Sequence, residues 1–470
     1  MYKAQRLHPA AILEFIFRNL YKLAQALLPL IILALGESAF RSWFLTFLPI
    51  VLVLFIVYMI FYWLRFVFYV QDNELRLEYG VLVRKKRYIS FERIQTVQVS
   101  AGVIQRILGL VKLQIETAGG GNKAELILPA ISADKAAELQ KILQKGKVFN
   151  PDAPDKDRLI QYRLSSSDLL ILGSTSNSLG LILAGMLTIV SQLDKIIPNL
   201  KIWEVLGKYA SNLMAGTVYI TILVIIFIIL LACLLSLLGN LIKFAGFTLI
   251  RDGDNLKISR GLFEKKQLSI PVKRIQALKI VEGILRQPFK MVSIQVVSIS
   301  NVGDKGEGNV IMPVIPRHKM MDFLEEVLPE FYRPFEVEML PNRSKMRYIL
   351  INFIPATVLV IIIFLFLPFA YPGLILLPLA IWLGSLQYRD TGYSLQESML
   401  IIRSRILGKV STIVPRRKIQ SLSISRNYFQ VRKNLNTLRV SIASGVVPAN
   451  VKLVGMDDEK SSVIIQWFSR

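Results

Sequence analysis

Imidazole and thiol chemistry find little material in this chain: 470 residues carry two histidines, His8 and His318, and one cysteine, Cys233. Neither a histidine base nor a histidine-rich metal site is expected, and no intramolecular disulfide can form. Gly119-Gly120-Gly121 has the glycines of a phosphate loop but lacks the Lys-Ser/Thr that would follow. It reads as a hairpin, as does Gly303-Asp304-Lys305-Gly306. No nucleophile or carboxylate pair stands at a spacing that supplies it with a base. The expectation is a protein that is not an enzyme, with no catalytic residue, metal or cofactor.

Two other kinds of group recur. One is a glutamine inside a repeated phrase: Arg93-Ile94-Gln95-Thr96-Val97-Gln98-Val99, Arg274-Ile275-Gln276-Ala277-Leu278-Lys279-Ile280 and Lys418-Ile419-Gln420-Ser421-Leu422-Ser423-Ile424. An amide at the edge of a β core can tie down open backbone groups, and a ligand site rarely needs the same residue in every copy. Gln95, Gln276 and Gln420, with Ile94, Ile275 and Ile419, are therefore read as structural. The other group is basic: Arg84, Lys85, Lys86 and Arg87, then Lys265 and Lys266, then Arg416 and Arg417. These are either solvated orientation charges or contacts to anionic lipid headgroups, worth about 1 kcal/mol per residue near a membrane surface.

The elements that carry these groups follow from hydropathy. Hydrophobic residues make up 53% of the chain, mean hydropathy is +0.48, and the apolar residues gather in long uncharged runs. That places the chain among membrane proteins. Phe44 to Leu64, Leu169 to Leu193 and Tyr209 to Ile242 each suffice to cross a bilayer. Tyr348 to Tyr388 is long enough for a hairpin that turns at Pro368-Phe369-Ala370-Tyr371-Pro372. A further span needs a helix that starts near Ile12, with Arg18 and Lys22 reaching to the headgroups; the alternative is an amphipathic surface helix. Six spans place all three soluble segments on one side. The opposite connections hold only Arg41, Lys195, Lys201 and Lys208 as basic residues, so the soluble side is expected to be cytoplasmic and the location the plasma membrane. The N-terminus does not read as a compact cleavable signal peptide.

Around the glutamine phrase the three copies stay in register. Gly80-Val81-Leu82 matches Gly261-Leu262-Phe263 and Arg405-Ile406-Leu407, and Leu110, Leu113 and Ile115 match Met291, Ile294 and Val296, then Leu435, Leu438 and Val440. Phe68, Phe247 and Tyr393 are read as opening the copies, the middle one two residues longer. Alternation such as Leu75-Arg76-Leu77-Glu78-Tyr79 predicts strands with one buried face. Gly80 and Gly261 suit a turn of positive φ, and Arg405 predicts a different turn in the third copy. Helices are predicted over Asp134 to Lys145, Arg317 to Val327 and Asp457 to Phe468. The boundaries are 1–67, helix pair; 68–148, first β domain; 149–246, linker and helix pair; 247–330, second domain; 331–392, linker and helix pair; and 393–470, third domain.

Paired membrane helices, the basic-Ile-Gln phrase, Gln105-Arg106-Ile107-Leu108-Gly109 and the opening Arg6-Leu7-His8-Pro9 together resemble the bacterial pleckstrin-homology-like membrane proteins, in a three-repeat arrangement. The resemblance implies a strongly bent, half-closed sheet of seven strands capped by a C-terminal helix. It carries over no catalytic residue. The second copy departs at Gln287-Pro288-Phe289-Lys290, and the third has Asn434 in place of Gly109.

The fold class expected is therefore α-helical transmembrane hairpins with mainly β soluble domains, three pleckstrin-homology-like half-barrels each capped by a helix. The function expected is a non-enzymatic membrane scaffold. Its partners are the bilayer, anionic lipid, and a membrane or cytoplasmic protein or peptide, a smaller pleckstrin-homology-like membrane protein being one candidate. Nucleic acid is not expected, since neither a recognition helix nor stacking aromatics accompany the basic clusters. The rival is a transporter or flippase serving export or envelope defence. The Ser174 to Ser178 stretch favours it, and the lack of mid-membrane ionisable residues weighs against it.

Overall fold

A strand precedes each helix pair and returns to the sheet that follows it. In the computed structural model, residues 4–36, 38–117, 126–145, 160–175, 184–185, 188, 218–298, 310–366, 371–444 and 449–469 are described. The hairpins at 119–121 and 303–306, most of the Leu169 to Leu193 run, and most of the Pro368 to Pro372 turn lie outside them.

In the first repeat β1 (Gln5–Arg6) is followed by helices α1 (Ala11–Gly36) and α2 (Ser38–Leu64). Next come β2 (Val67–Gln71), β3 (Glu74–Tyr79) and β4 (Lys85–Ser90), and β1-β2-β3-β4 form one antiparallel sheet. The second sheet has β5 (Ile94–Ala101), the short helix α3 (Val103–Ile107), β6 (Leu110–Thr117) and β7 (Leu126–Ser132), closed by α4 (Ala133–Lys145). Alternating apolar residues of both sheets meet in one core: Leu75, Leu77 and Ile89 against Val97, Leu113, Ile115 and Leu128, with Leu139 and Leu143 of α4. Leu7, Ala11 and Phe15 enter the same core. The first turns of α1 thus belong to the β domain rather than to lipid.

The second repeat has β8 (Ile160–Arg163), α5 (Ser166–Ser174) and α6 (Val218–Phe244), then β9 (Thr248–Asp252), β10 (Asn255–Arg260) and β11 (Lys265–Pro271). Its remaining elements are β12 (Ile275–Glu282), β13 (Met291–Ser298), β14 (Val310–Pro316) and α7 (Met320–Val327). The third has β15 (Glu338–Met339), α8 (Lys345–Phe366), α9 (Leu376–Asp390), β16 (Gly392–Leu395), β17 (Met399–Arg405) and β18 (Lys409–Pro415). It ends in β19 (Ile419–Ser425), α10 (Tyr428–Val431), β20 (Leu435–Ile442), β21 (Ala449–Asp457) and α11 (Asp458–Ser469). Each repeat therefore has the seven strands and capping helix that the resemblance implies. The first strand stands before the helix pair, where the sequence boundaries leave it in a linker or among the helices.

Neighbouring repeats also share a sheet. The fourth strand of the second repeat, β11, pairs with β5 of the first, and β18 of the third repeat pairs with β12 of the second. The chain accordingly divides into two compact units, Met1–Arg158 with Phe263–Pro271, and Leu159–Leu262 with Val272–Arg470.

The turns follow residue chemistry. Gly80 and Gly261 have φ of 111° and 110°, a region that L side chains avoid. Arg405 instead remains in β17 and pairs with Lys409, so the third copy does turn differently. After the short helix in each copy, Gly109, Lys290 and Asn434 all hold left-handed φ of 50–65°, so the departures there keep the turn. One alignment is corrected. Leu249, not Phe247, pairs with Ile258 as Phe68 pairs with Leu77 and Tyr393 with Ile402. The middle copy has no two-residue insertion.

Among the described residues, three helices are long and apolar enough to cross a membrane by length and composition, Phe40–Leu64, Ile226–Phe244 and Asn342–Leu365. α1 starts beside Ile12 and runs unbroken for 26 residues, about 39 Å. Small residues let the paired helices approach. A Cβ on Gly384 of α9 would stand 2.6 Å from the Tyr348 carbonyl oxygen and 2.7 Å from Ile349 Cα, both backbone atoms of α8. Gly384→Ala is expected to force these helices apart and cost roughly 1–3 kcal/mol, read as a lower thermal midpoint of the detergent-solubilised chain, whereas Gly239→Ala on α6, with nothing near its Cβ, is not.

Candidate membrane-interface site

The hairpin after the third strand-forming segment of each copy carries exposed apolar residues where a soluble domain would place polar ones. They are Leu82 and Val83, Leu262 and Phe263, and Ile406 and Leu407, with Leu82 90% and Ile406 79% exposed. Each tip is bonded at the end of the helix that precedes its sheet. Arg65, just beyond α2, donates from Nη1 to the Val81 carbonyl at 2.7 Å. The Leu262 and Gly261 amides donate to the carbonyls of Ile242 and Ala245 at 2.9 Å, and Gln387 Nε2 of α9 donates to the Ile406 carbonyl at 2.8 Å. Val81, Leu262 and Ile406 are one position of the repeat. The donors differ, but the attachment is the same.

A second tip between the fifth and sixth strands follows the same rule: Val103 and Ile107, Ile284 and Leu285, and Tyr428 and Phe429 are exposed. In two copies it is tied to the first helix of the pair. Gln105 Nε2 donates to Glu14 Oε2 of α1 at 3.0 Å, and Arg286 Nε donates to Thr175 Oγ1, just past α5, at 3.3 Å.

The basic residues are not equivalent in space. Arg84 stands at the first tip and pairs with Glu78 at 2.5 Å; Lys86 reaches the same carboxylate at 3.6 Å; Lys85 and Arg87 lie beside them on exposed β4. Lys265 and Lys266 begin β11, opposite Ala101 and Ser100. Arg416 and Arg417 stand in the one-turn helix after β18, a strand length of roughly 20 Å from their own tip. There Arg417 pairs with Glu330 at 3.1 Å, and Arg416 lies 5.6 Å from the centre of the Trp467 ring. Lys409 stands where Arg84 and Lys265 stand, but it is held by Asp390 at 3.1 Å and Glu282 at 3.9 Å.

The repeated glutamine marks a β-bulge in all three copies. Ile94 pairs with Thr117 and Thr96 with Glu116, so Gln95 has no residue opposite; Gln276 and Gln420 are skipped in the same way. Gln276 is buried and its Nε2 donates to the Arg274 carbonyl at 2.9 Å, while Gln420 is exposed. Changing Gln276 to Ala is expected to lower stability by about 1 kcal/mol, the net worth of one hydrogen bond, in denaturant titration of the purified chain; a Gln420→Ala change is expected to cost less.

Sequence reading missed Glu116, which faces this bulge. Burial pushes its carboxyl up to about 7, against a bond from Thr96 Oγ1 at 3.3 Å that favours the ionised form. An unfolded glutamate ionises near 4.5, so the folded chain binds the extra proton between the two values. The stabilising contribution is full below about 4.5 and lost as pH rises through about 7. Glu116→Gln should therefore flatten the fall in thermal midpoint between pH 5 and 8.

No group of three or more metal-ligating side chains is present among the described residues. A shallow cleft between β2 and α4 is lined by Gln5, Phe68, Lys135 and Glu138.

Helix pairs fused to bent β domains, three times over, define a repeat-built transmembrane protein of the pleckstrin-homology-like class. The chain belongs to the bacterial PH domain family, which matches over residues 19–147, 204–330 and 349–470, helices included. It is 32% identical to the UPF0699 transmembrane protein YdbT of Bacillus subtilis (strain 168), over all of this chain and 99% of that protein.

Proposed function

We propose that this is a non-enzymatic scaffold of the plasma membrane, whose three β domains lie on the cytoplasmic face and hold their tips against the inner leaflet to bind anionic lipid and a partner protein or peptide. The observation that carries the reading is the tip itself. In every copy, exposed apolar side chains sit on a backbone hydrogen-bonded to the end of a membrane helix. A side chain so held reaches the headgroup region without any movement of the domain. Leu82, Phe263 and Leu407 are then interfacial wedges, and Arg84 with its basic neighbours supplies the attraction to negative lipid. Screening lengths of roughly 8 Å at physiological salt make this closeness decisive. The excess of 57 Lys and Arg over 33 Asp and Glu is the charge balance that a cytoplasmic face favours.

Two measurements test the reading. In a Cys233→Ser background, single cysteines at Ser38, Asn199 or Tyr371 should react with an impermeant maleimide added to intact cells, and ones at Asn122, Asp304 or Asn450 should not; the reverse pattern places the domains outside. For the lipid, the full chain carrying Arg84, Lys85, Lys86 and Arg87→Ser should retain less anionic lipid on purification, by about 1 kcal/mol of affinity per charge, and lose the salt dependence of that retention. Unchanged retention would leave the cluster as an orientation signal only.

A further inference from the structure

We propose that the outer edge of β19 receives strand β4 of a second copy of this chain, continuing between molecules the sheet-sharing that joins repeats within one. This goes beyond the scaffold reading and does not rest on its lipid contact.

The two internal junctions use one register. At β5–β11, Ala101 faces Lys265, Ser100 faces Lys266, and the ladder runs to Val97 opposite Ser269. At β12–β18, Glu282 faces Lys409, Val281 faces Val410, and the ladder runs to Leu278 opposite Ile413. Counted from the glutamine phrase, these are the same positions. Each junction joins the fifth strand of one repeat to the fourth strand of the next, β5 and β12 receiving β11 and β18. The corresponding strand of the last repeat is β19 and the corresponding donor in the first is β4. Among the described residues each ends its sheet, in the orders β19-β20-β21 and β1-β2-β3-β4.

Burial follows occupancy. Thr96, Val97, Gln98, Ser100 and Ala101 are buried in β5, and Ala277, Leu278 and Ile280 in β12. In β19 the matching Ser421, Ser423 and Ser425 are exposed, and Leu422 and Ile424 only half-buried. Nothing on this edge blocks pairing: it has no proline, no lysine and no bulge beyond the one at Gln420.

β4 fits that edge in the established register. Tyr88 would face Leu422, Arg87 Ser423, Lys86 Ile424 and Lys85 Ser425. A basic start is no obstacle, because Lys265 and Lys266 already begin a strand seated on Ala101 and Ser100, and Ser425 repeats the serine. The one like-charged pair is Arg84 with Arg426, and each carries its own carboxylate, Glu78 at 2.5 Å and Asp458 at 3.0 Å. The contact joins different surfaces of two chains, so it either closes into a ring or continues as a row.

The test uses the full chain in native membranes with Cys233→Ser. One tagged chain carries Arg87→Cys and a differently tagged chain carries Ser423→Cys, and the two are co-expressed and mildly oxidised. The expected result is a disulfide-linked species bearing both tags. It should be absent when both chains carry Arg87→Cys, and reduced when Ser425→Arg, an exposed change that sets a like charge opposite Lys85, is added to the Ser423→Cys chain, whose unchanged thermal midpoint shows that it still folds. Absence of the mixed species with both chains inserted and folded overturns the proposal. So does an equal yield from a collision control with Glu138→Cys in place of Arg87→Cys.

Discussion

The end of a membrane helix leaves carbonyls without partners, and at the edge of a bilayer neither lipid nor more helix can supply them. In the second repeat a β-hairpin does. The amides of Gly261 and Leu262 cap the last turns of α6, and side chains from the other helix ends, Arg65 and Gln387, reach carbonyls at the matching position of their own hairpins. Much else depends on this hand-over. It fixes each hairpin to its helix end, with only one to three residues between helix and first following strand. Aromatic packing reinforces it in the first repeat, where Phe66 stacks on Tyr79 at 5.9 Å and Phe15 meets Tyr62 edge-on at 5.0 Å.

The strand before each helix pair tightens the same joint. Trp63 at the end of α2 donates from Nε1 to the Leu7 carbonyl at 3.1 Å, and Tyr388 of α9 donates to the Leu340 carbonyl at 3.0 Å. These are equivalent positions, one residue beyond strands β1 and β15. Chain entering the membrane and chain leaving it are thus bonded to each other at the domain surface. A repeat is one folding unit of strand, helix pair, six strands and helix, so a fragment starting at Phe68 would lack Leu7, Ala11 and Phe15 from its core.

Local pattern made part of this legible and could not reach the rest. Alternation in Leu75-Arg76-Leu77 and the glycine at 80 specify a strand and its turn through nearest neighbours alone, and the capping helices fall where their amphipathic stretches do. The glutamine phrase was visible as a repeat, but its bulge was not, because a bulge is a relation between Gln276 and the partner strand. Strand sharing was hidden for the same reason, since nothing in Lys265 to Pro271 says that its partner is β5. The short strands Gln5–Arg6 and Glu338–Met339 are too brief to show a period. The apolar tips were legible in principle, as paired large aliphatics in turns where polar residues are the rule, but the neighbouring charges drew the reading to themselves.

The proposed resting place of the hairpin tips is the headgroup layer. It is tested most directly by depth-dependent quenching in the full chain reconstituted into vesicles. An environment-sensitive fluorophore is placed in turn on cysteines replacing Leu82, Phe263 and Leu407, with Cys233→Ser and with the exposed Glu138 of α4 as the reference site. Blue-shifted emission and quenching by headgroup-labelled lipid are expected at all three tips, and neither at position 138. Tips that fluoresce as in water, and are quenched no more than the reference, would contradict it.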